Sequence, residues 1–147
     1  MNRRELLTRS GVLATTPLIG CAGTHPQVAA GMPAGHHHGD PELADAALGC
    51  LGAGAACISH CLMLLAGGDT SMGPCSERAF AMRSMMESLA ALAHTNSPHL
   101  PELARLAAKF CKDCEEECRK HADKHPTCKA CAEACAKTQA ACAKYTA

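Results

Sequence analysis

The stretch "CKDCEEECRKHADKHPTCKACAEAC", Cys111 to Cys135, holds two copies of C-x-x-C-x-x-x-C. Residues three, four and seven apart share one face of an α-helix. Cysteines at those intervals draw a line of sulfur down a helix instead of scattering thiols around it. The pattern recurs along the chain. Cys50, Cys57 and Cys61 are spaced seven and four apart. Cys111, Cys114 and Cys118 are spaced three and four, with His121 continuing the face, and Cys128, Cys131, Cys135 and Cys142 are spaced three, four and seven. The opposite faces of the last two segments carry Lys112, Glu115, Glu116, Arg119, Lys120, Lys129, Glu133, Lys137 and Lys144. Charge stays in water, so the sulfur lines must face inward.

Inward lines need partner helices, and the chain supplies four segments. Asp40 as N-cap and Pro41 at the first helical position open one that runs to about Leu65 and ends at "GGD". Pro74 opens a second, reaching about His94 before "TNSPHLP" breaks the chain. A third is predicted from Pro101 to about Lys124, and a fourth from Pro126 to about Tyr145. The connections are short, as antiparallel neighbours require. No alternating β-branched run predicts a strand. The expected fold is all-α, an antiparallel up-down-up-down four-helix bundle with a cysteine-lined core over residues 41–147. Gly49, Gly52 and Gly54 each cost roughly 1 kcal/mol relative to Ala inside a helix, which predicts a close neighbouring helix there.

Antiparallel order collects Cys57, Cys61, Cys75, Cys118, Cys128 and Cys131 at one end, with His121 and His125 close by. Cys50, Cys111 and Cys142 lie toward the other end. There the second helix, after Cys75, offers Met82, Met86 and Leu89 at helical spacing. With only Phe80, Phe110 and Tyr145 as aromatic residues, the core must be built from Leu, Ala, Met and Cys.

The 14 basic and 14 acidic residues balance. That balance argues against a broad phosphate-binding surface and against a nucleic-acid partner. Residues 1–20 read as an export signal of twin-arginine type: Arg3-Arg4 precede the weakly apolar "GVLATTPLIG", too short to span a bilayer. "LIGC" resembles a lipobox and makes Cys21 a candidate lipid anchor, with cleavage near "QVAAG" as the alternative. Residues 21–40, with His36-His37-His38, read as a flexible Gly/Pro/His-rich tail. An exported, periplasmic location follows.

Export into an oxidising compartment favours disulfides, but geometry opposes a full set. A bridge needs Cβ atoms about 3.8 Å apart, whereas neighbours on one helix face stand roughly 5–6 Å apart. A metal between two sulfurs relaxes that fit. The C-x-x-C pairs of Cys111/Cys114 and Cys128/Cys131 suggest zinc, yet a zinc ribbon needs knuckle turns, and a single Cys₄ site leaves most thiols unused. An iron–sulfur cluster also needs only four ligands. Cu(I), the softest common ion, favours thiolate and thioether ligands, and multiple ions would use nearly every sulfur.

With these residues in view, "CKDCEEEC", "RKHADKHP" and "CKACAEACAKTQAAC" resemble the cysteine-rich four-helix-bundle copper storage proteins of bacteria. Cys57 and Cys61 add to the likeness, and the twin-arginine signal is similar to that of the exported branch. The resemblance implies Cu(I) held by core cysteines, with His or Met ligands near an open bundle mouth. It implies release to a copper chaperone, efflux protein or copper enzyme, and a tetramer of bundles. Storage, buffering and detoxification of copper are the expected function, and no enzyme activity is expected. An electron carrier bearing iron–sulfur or zinc, and a disulfide-stapled structural protein, are the alternatives.

Plainer roles stand beside these. Cys50 and Cys75 could be packing residues. Met82, Met85 and Met86 could be core filler instead of a thioether relay. His121 and His125 suit a helix C-terminus as well as ligation. His60 reads as helix-surface polarity, and Glu115 to Glu117 as a solvated face.

Overall fold

The computed structural model describes residues 39–145 of the 147-residue chain. The export signal, the lipobox cysteine and the His-rich tail lie outside the described residues.

Four helices form where the caps and prolines place them: α1 (Pro41–Ala66), α2 (Gly73–His94), α3 (Leu100–Arg119) and α4 (Pro126–Cys142). Short 3-10 turns at Thr70–Met72 and Ala143–Tyr145 complete the described structure. The Asp40 side chain accepts a hydrogen bond from the Leu43 N–H at 3.2 Å and caps α1. The end of α1 unwinds through Gly68 at φ +94°, a conformation open to glycine without steric penalty. Asp69 then accepts from the Ser71 N–H and starts the 3-10 turn. Each helix carries a proline in its first turn, where the missing N–H would have had no intrahelical partner.

α3 stops at Arg119 instead of continuing to Lys124. The physical reason is Pro126. A proline pushes the preceding residue out of helical conformation, and His125 is extended at φ −128°, ψ 97°. Residues 120–124 therefore make turns that free the chain to reverse into α4. α4 likewise ends at Cys142, and the last residues to Tyr145 tighten into 3-10 geometry.

α1 packs on α2 and α4, α3 packs on the same two, and the diagonal pairs do not approach at the backbone and meet only through side chains on the axis. This is the square arrangement of an antiparallel four-helix bundle. Leu43, Leu89, Leu100, Ala93, Ala104 and Ala107 are buried in its apolar core. Full burial of each such Leu contributes about 1.5–3 kcal/mol. The hydroxyl of Tyr145 donates to Asp40 at 2.7 Å, Lys144 pairs with the same carboxylate oxygen at 2.7 Å, and the Asp40 N–H donates to the Ala93 carbonyl at 2.8 Å. The start of α1, the end of α2 and the end of α4 are thereby tied together.

Of the three glycines of α1, only Gly54 meets a neighbour. A Cβ there would come 2.8 Å from the Met82 terminal methyl, whereas at Gly49 and Gly52 it would meet nothing within 4 Å. Those two lie on the outer face of α1, so close packing within the bundle does not explain them. That face also exposes Leu48, Leu62 and Met63.

Candidate metal centre

All eleven described cysteines are buried, and none is bridged. They reach this state because each helix turns its three- and four-residue spacing toward the axis. Cys114 and Cys118, one turn apart on α3, bring their Sγ atoms within 3.9 Å. Across helices, Cys75 and Cys118 approach to 3.5 Å, Cys50 and Cys135 to 3.7 Å, and Cys57 and Cys118 to 3.8 Å. Cys114 and Cys131 also stand 3.8 Å apart. These distances far exceed an S–S bond of about 2.05 Å. They match the edges of a metal–thiolate polygon: three sulfurs at about 2.3 Å from one ion lie roughly 4.0 Å apart.

Among the described residues, four groups of ligand atoms lie within 4.8 Å of one another: Cys57, Cys61, Cys75 and Cys128; Cys57, Cys118 and Cys131; Cys114, Cys131 and Cys135; and Cys50, Cys111 and Cys135. Neighbouring groups share members. Cys57 joins the first to the second, Cys131 the second to the third, and Cys135 the third to the fourth. The result is a continuous ladder of sulfur. Ten of the eleven predicted cysteine positions belong to it. Cys142 is buried but joins no group. Met82 extends the ladder, its Sδ 3.3 Å from the Cys50 Sγ. Met86 is buried a turn further along α2.

Electrostatics divides the thiols into acceptors and donors. Hydrogen bonds from Cys111 and then Cys135 hold Cys50 far below the ordinary thiol range, at about 4. Hydrogen bonds from Cys118 and then Cys57 lower Cys75 as well, and Cys114 and Cys118 do the same for Cys131. Their neighbours move the other way. Burial, then the charge of Cys75, pushes Cys61 up to about 11. Burial, then Asp40, pushes Cys142 to about 11. A thiolate formed in any stretch of the ladder can accept from the S–H groups packed beside it. Metal capture requires such thiolates.

Residues 36–147 match the copper storage protein family. The chain belongs to the copper storage protein family. No curated protein matches it. Family membership fits the ladder: a set of overlapping buried thiol groups is what a container for soft metal ions requires, and no single Cys₄ or cluster site accounts for it.

At the mouth of the bundle, His121 and His125 occupy the turn between α3 and α4. Neither joins a group of three ligand atoms. His121 Nε2 lies 3.8 Å from Glu117. His125 Nδ1 faces His60 Nε2 at 3.1 Å. His60 is therefore part of the mouth and not merely surface polarity. The signal was available in sequence: His60 precedes Cys61, His125 precedes Cys128 by three, and antiparallel helices bring those two cysteines together. Two other core residues stand outside the cysteine pattern: Met72 has no helical-stripe signal, whereas Thr138 has one, three residues after Cys135 and four before Cys142. Met72 is buried in the 3-10 turn, and Thr138 is buried with its hydroxyl donating to the Ala46 carbonyl at 3.1 Å. The acidic run is not uniformly solvated either. Glu115 is largely buried and accepts from Gln139 of α4 at 2.5 Å, because its helix position falls at the α3–α4 seam.

Proposed function

We propose that this protein stores several Cu(I) ions on its core thiolates and so buffers copper and limits its toxicity. One observation carries the reading: ten reduced, buried cysteines form overlapping groups, so ions can share thiolates along the whole ladder. Cu(I) suits low-coordinate sulfur sites, and the S–H donors beside each ionised sulfur supply further ligands on deprotonation. Met82 adds a thioether at the deep end. His60, His121 and His125 stand where ions cross between solvent and sulfur. Anaerobic Cu(I) titration of the reduced protein tests this. Uptake approaching one ion per core cysteine, with proton release, is expected. Saturation at one ion, or uptake indifferent to pH, would overturn it.

Residues 1–20 direct export as a twin-arginine signal, and the bundle works in the periplasm, free or anchored through Cys21. Fractionation of cells expressing the full chain, with Arg3→Lys and Arg4→Lys as the control, tests location. Copper passes to a chaperone, efflux protein or copper enzyme. A homo-oligomer is supported by the outer face of α1, which exposes Leu48, Leu62 and Met63 and bears no Asp, Glu, Lys or Arg between Asp45 and Asp69. Sedimentation velocity tests it.

A further inference from the structure

The ladder is not uniform. Among the described residues, three of its groups have three thiols, and one, at the mouth, has four. We propose that Cys57, Cys61, Cys75 and Cys128 form a tetrahedral site for one Zn(II) ion, distinct in metal preference from the deeper sites.

Geometry is the first support. Four sulfurs each about 2.3 Å from a tetrahedral ion are separated by roughly 3.8 Å. Cys57 and Cys75 stand 3.8 Å apart, and all four sulfurs lie within 4.8 Å of one another. Small rotamer adjustments close the remaining gaps. The ligands come from three helices: Cys57 and Cys61 one turn apart on α1, Cys75 on α2 and Cys128 on α4. An ion there pins three helices together. The C-x-x-C pairs that suggest a zinc ribbon in the sequence do not build this site, which takes only Cys128 from them.

Charge is the second support. Four thiolates around Zn(II) carry a net charge of two minus, which burial penalises. Cys75 and Cys128 are each the third residue of their helices. Two helix N-termini therefore converge on the cluster, and the helix dipoles there favour negative charge. The three-thiol groups suit the lower coordination of Cu(I), whereas a closed set of four sulfurs suits a d¹⁰ divalent ion. Because Cys57 also belongs to the next group inward, a Zn(II) ion at the mouth withdraws a ligand from that group.

The proposal rests on these four thiols and not on copper storage, and its test uses no copper. The reduced, metal-free full chain is titrated with Co(II) under anaerobic conditions and then with Zn(II). One equivalent of Co(II) should give the intense visible bands of tetrahedral thiolate coordination, and one equivalent of Zn(II) should bleach them. Cys75→Ser should abolish the bands, and Cys142→Ser, at a buried cysteine outside every group, should leave them unchanged. X-ray absorption of the Zn(II)-loaded wild-type chain needs no variant and should show four sulfurs at about 2.3 Å. Weak octahedral Co(II) bands, a mixed sulfur and nitrogen shell, or several equivalents bound irrespective of Cys75 would overturn it.

Discussion

Cys131 and Cys142 show how little position in a stripe says about role. Both are buried cysteines of α4 at helical spacing. Cys131 belongs to two of the thiol groups, and Cys142 to none. Cys131→Ala together with Cys118→Ala should lower Cu(I) capacity by more than two ions, because shared thiolates are lost. Cys142→Ala should leave capacity within one ion of wild type. Each change should cost about 1 kcal/mol in a thermal melt with helicity retained, as deletion of a small buried group does. Asp40 has its own pH signature. Burial would raise its carboxyl, but hydrogen bonds from Lys144, Tyr145 and the Leu43 N–H outweigh that and hold it below 3.8. The unfolded chain takes up the proton first, so this stabilisation is complete above 3.8 and lost as pH falls through the lower folded-state value. Burial, then donation to Asp40, raises Tyr145 from 10.0 to about 12, so its share is intact below 10.0 and lost as pH rises toward about 12. Asp40→Asn keeps the cap acceptor but removes the charge. It should lower stability at neutral pH by about 1 kcal/mol and weaken the acid dependence, read from chemical denaturation across pH.

At the scale of elements, α1 carries the clearest departure from expectation. A glycine inside a helix suggests a close neighbour, yet Gly49 and Gly52 have open space where a Cβ would go. Gly49→Ala and Gly52→Ala should each stabilise dilute protein by about 1 kcal/mol through helix propensity alone. Gly54→Ala should gain less, because its Cβ must displace the Met82 methyl that lies 2.8 Å away and disturb the Met82–Cys50 contact. Thermal melts of the three variants separate these outcomes. Helix starts were legible from Asp40, Pro41, Pro74, Pro101 and Pro126 because capping and proline geometry are local. The end of α3 was not. Lys120 to Lys124 have ordinary helical propensity, and only the need of His125 to be extended ahead of Pro126 while the chain reverses sets the stop.

For the whole molecule, the metal-free bundle should remain folded, since Leu, Ala and Met share its core with thiols that pack as small hydrophobes. Loading Cu(I) should raise the thermal midpoint progressively, because ions bind the folded ladder and not the unfolded chain, and a Cu(I) chelator should return it to the metal-free value without loss of helicity. The inward direction of the sulfur stripes follows from a 3.6-residue period and charged opposite faces, the helix number from caps and prolines, and the gathering of thiols at one end from the antiparallel order that short connections impose. Tertiary structure alone decided which thiols share a group, that Cys142 stands apart, and that the mouth holds four sulfurs. Those outcomes depend on the rotation and axial offset of each helix against its neighbours, and packing of the whole bundle sets these to within an ångström where a repeat in the sequence does not.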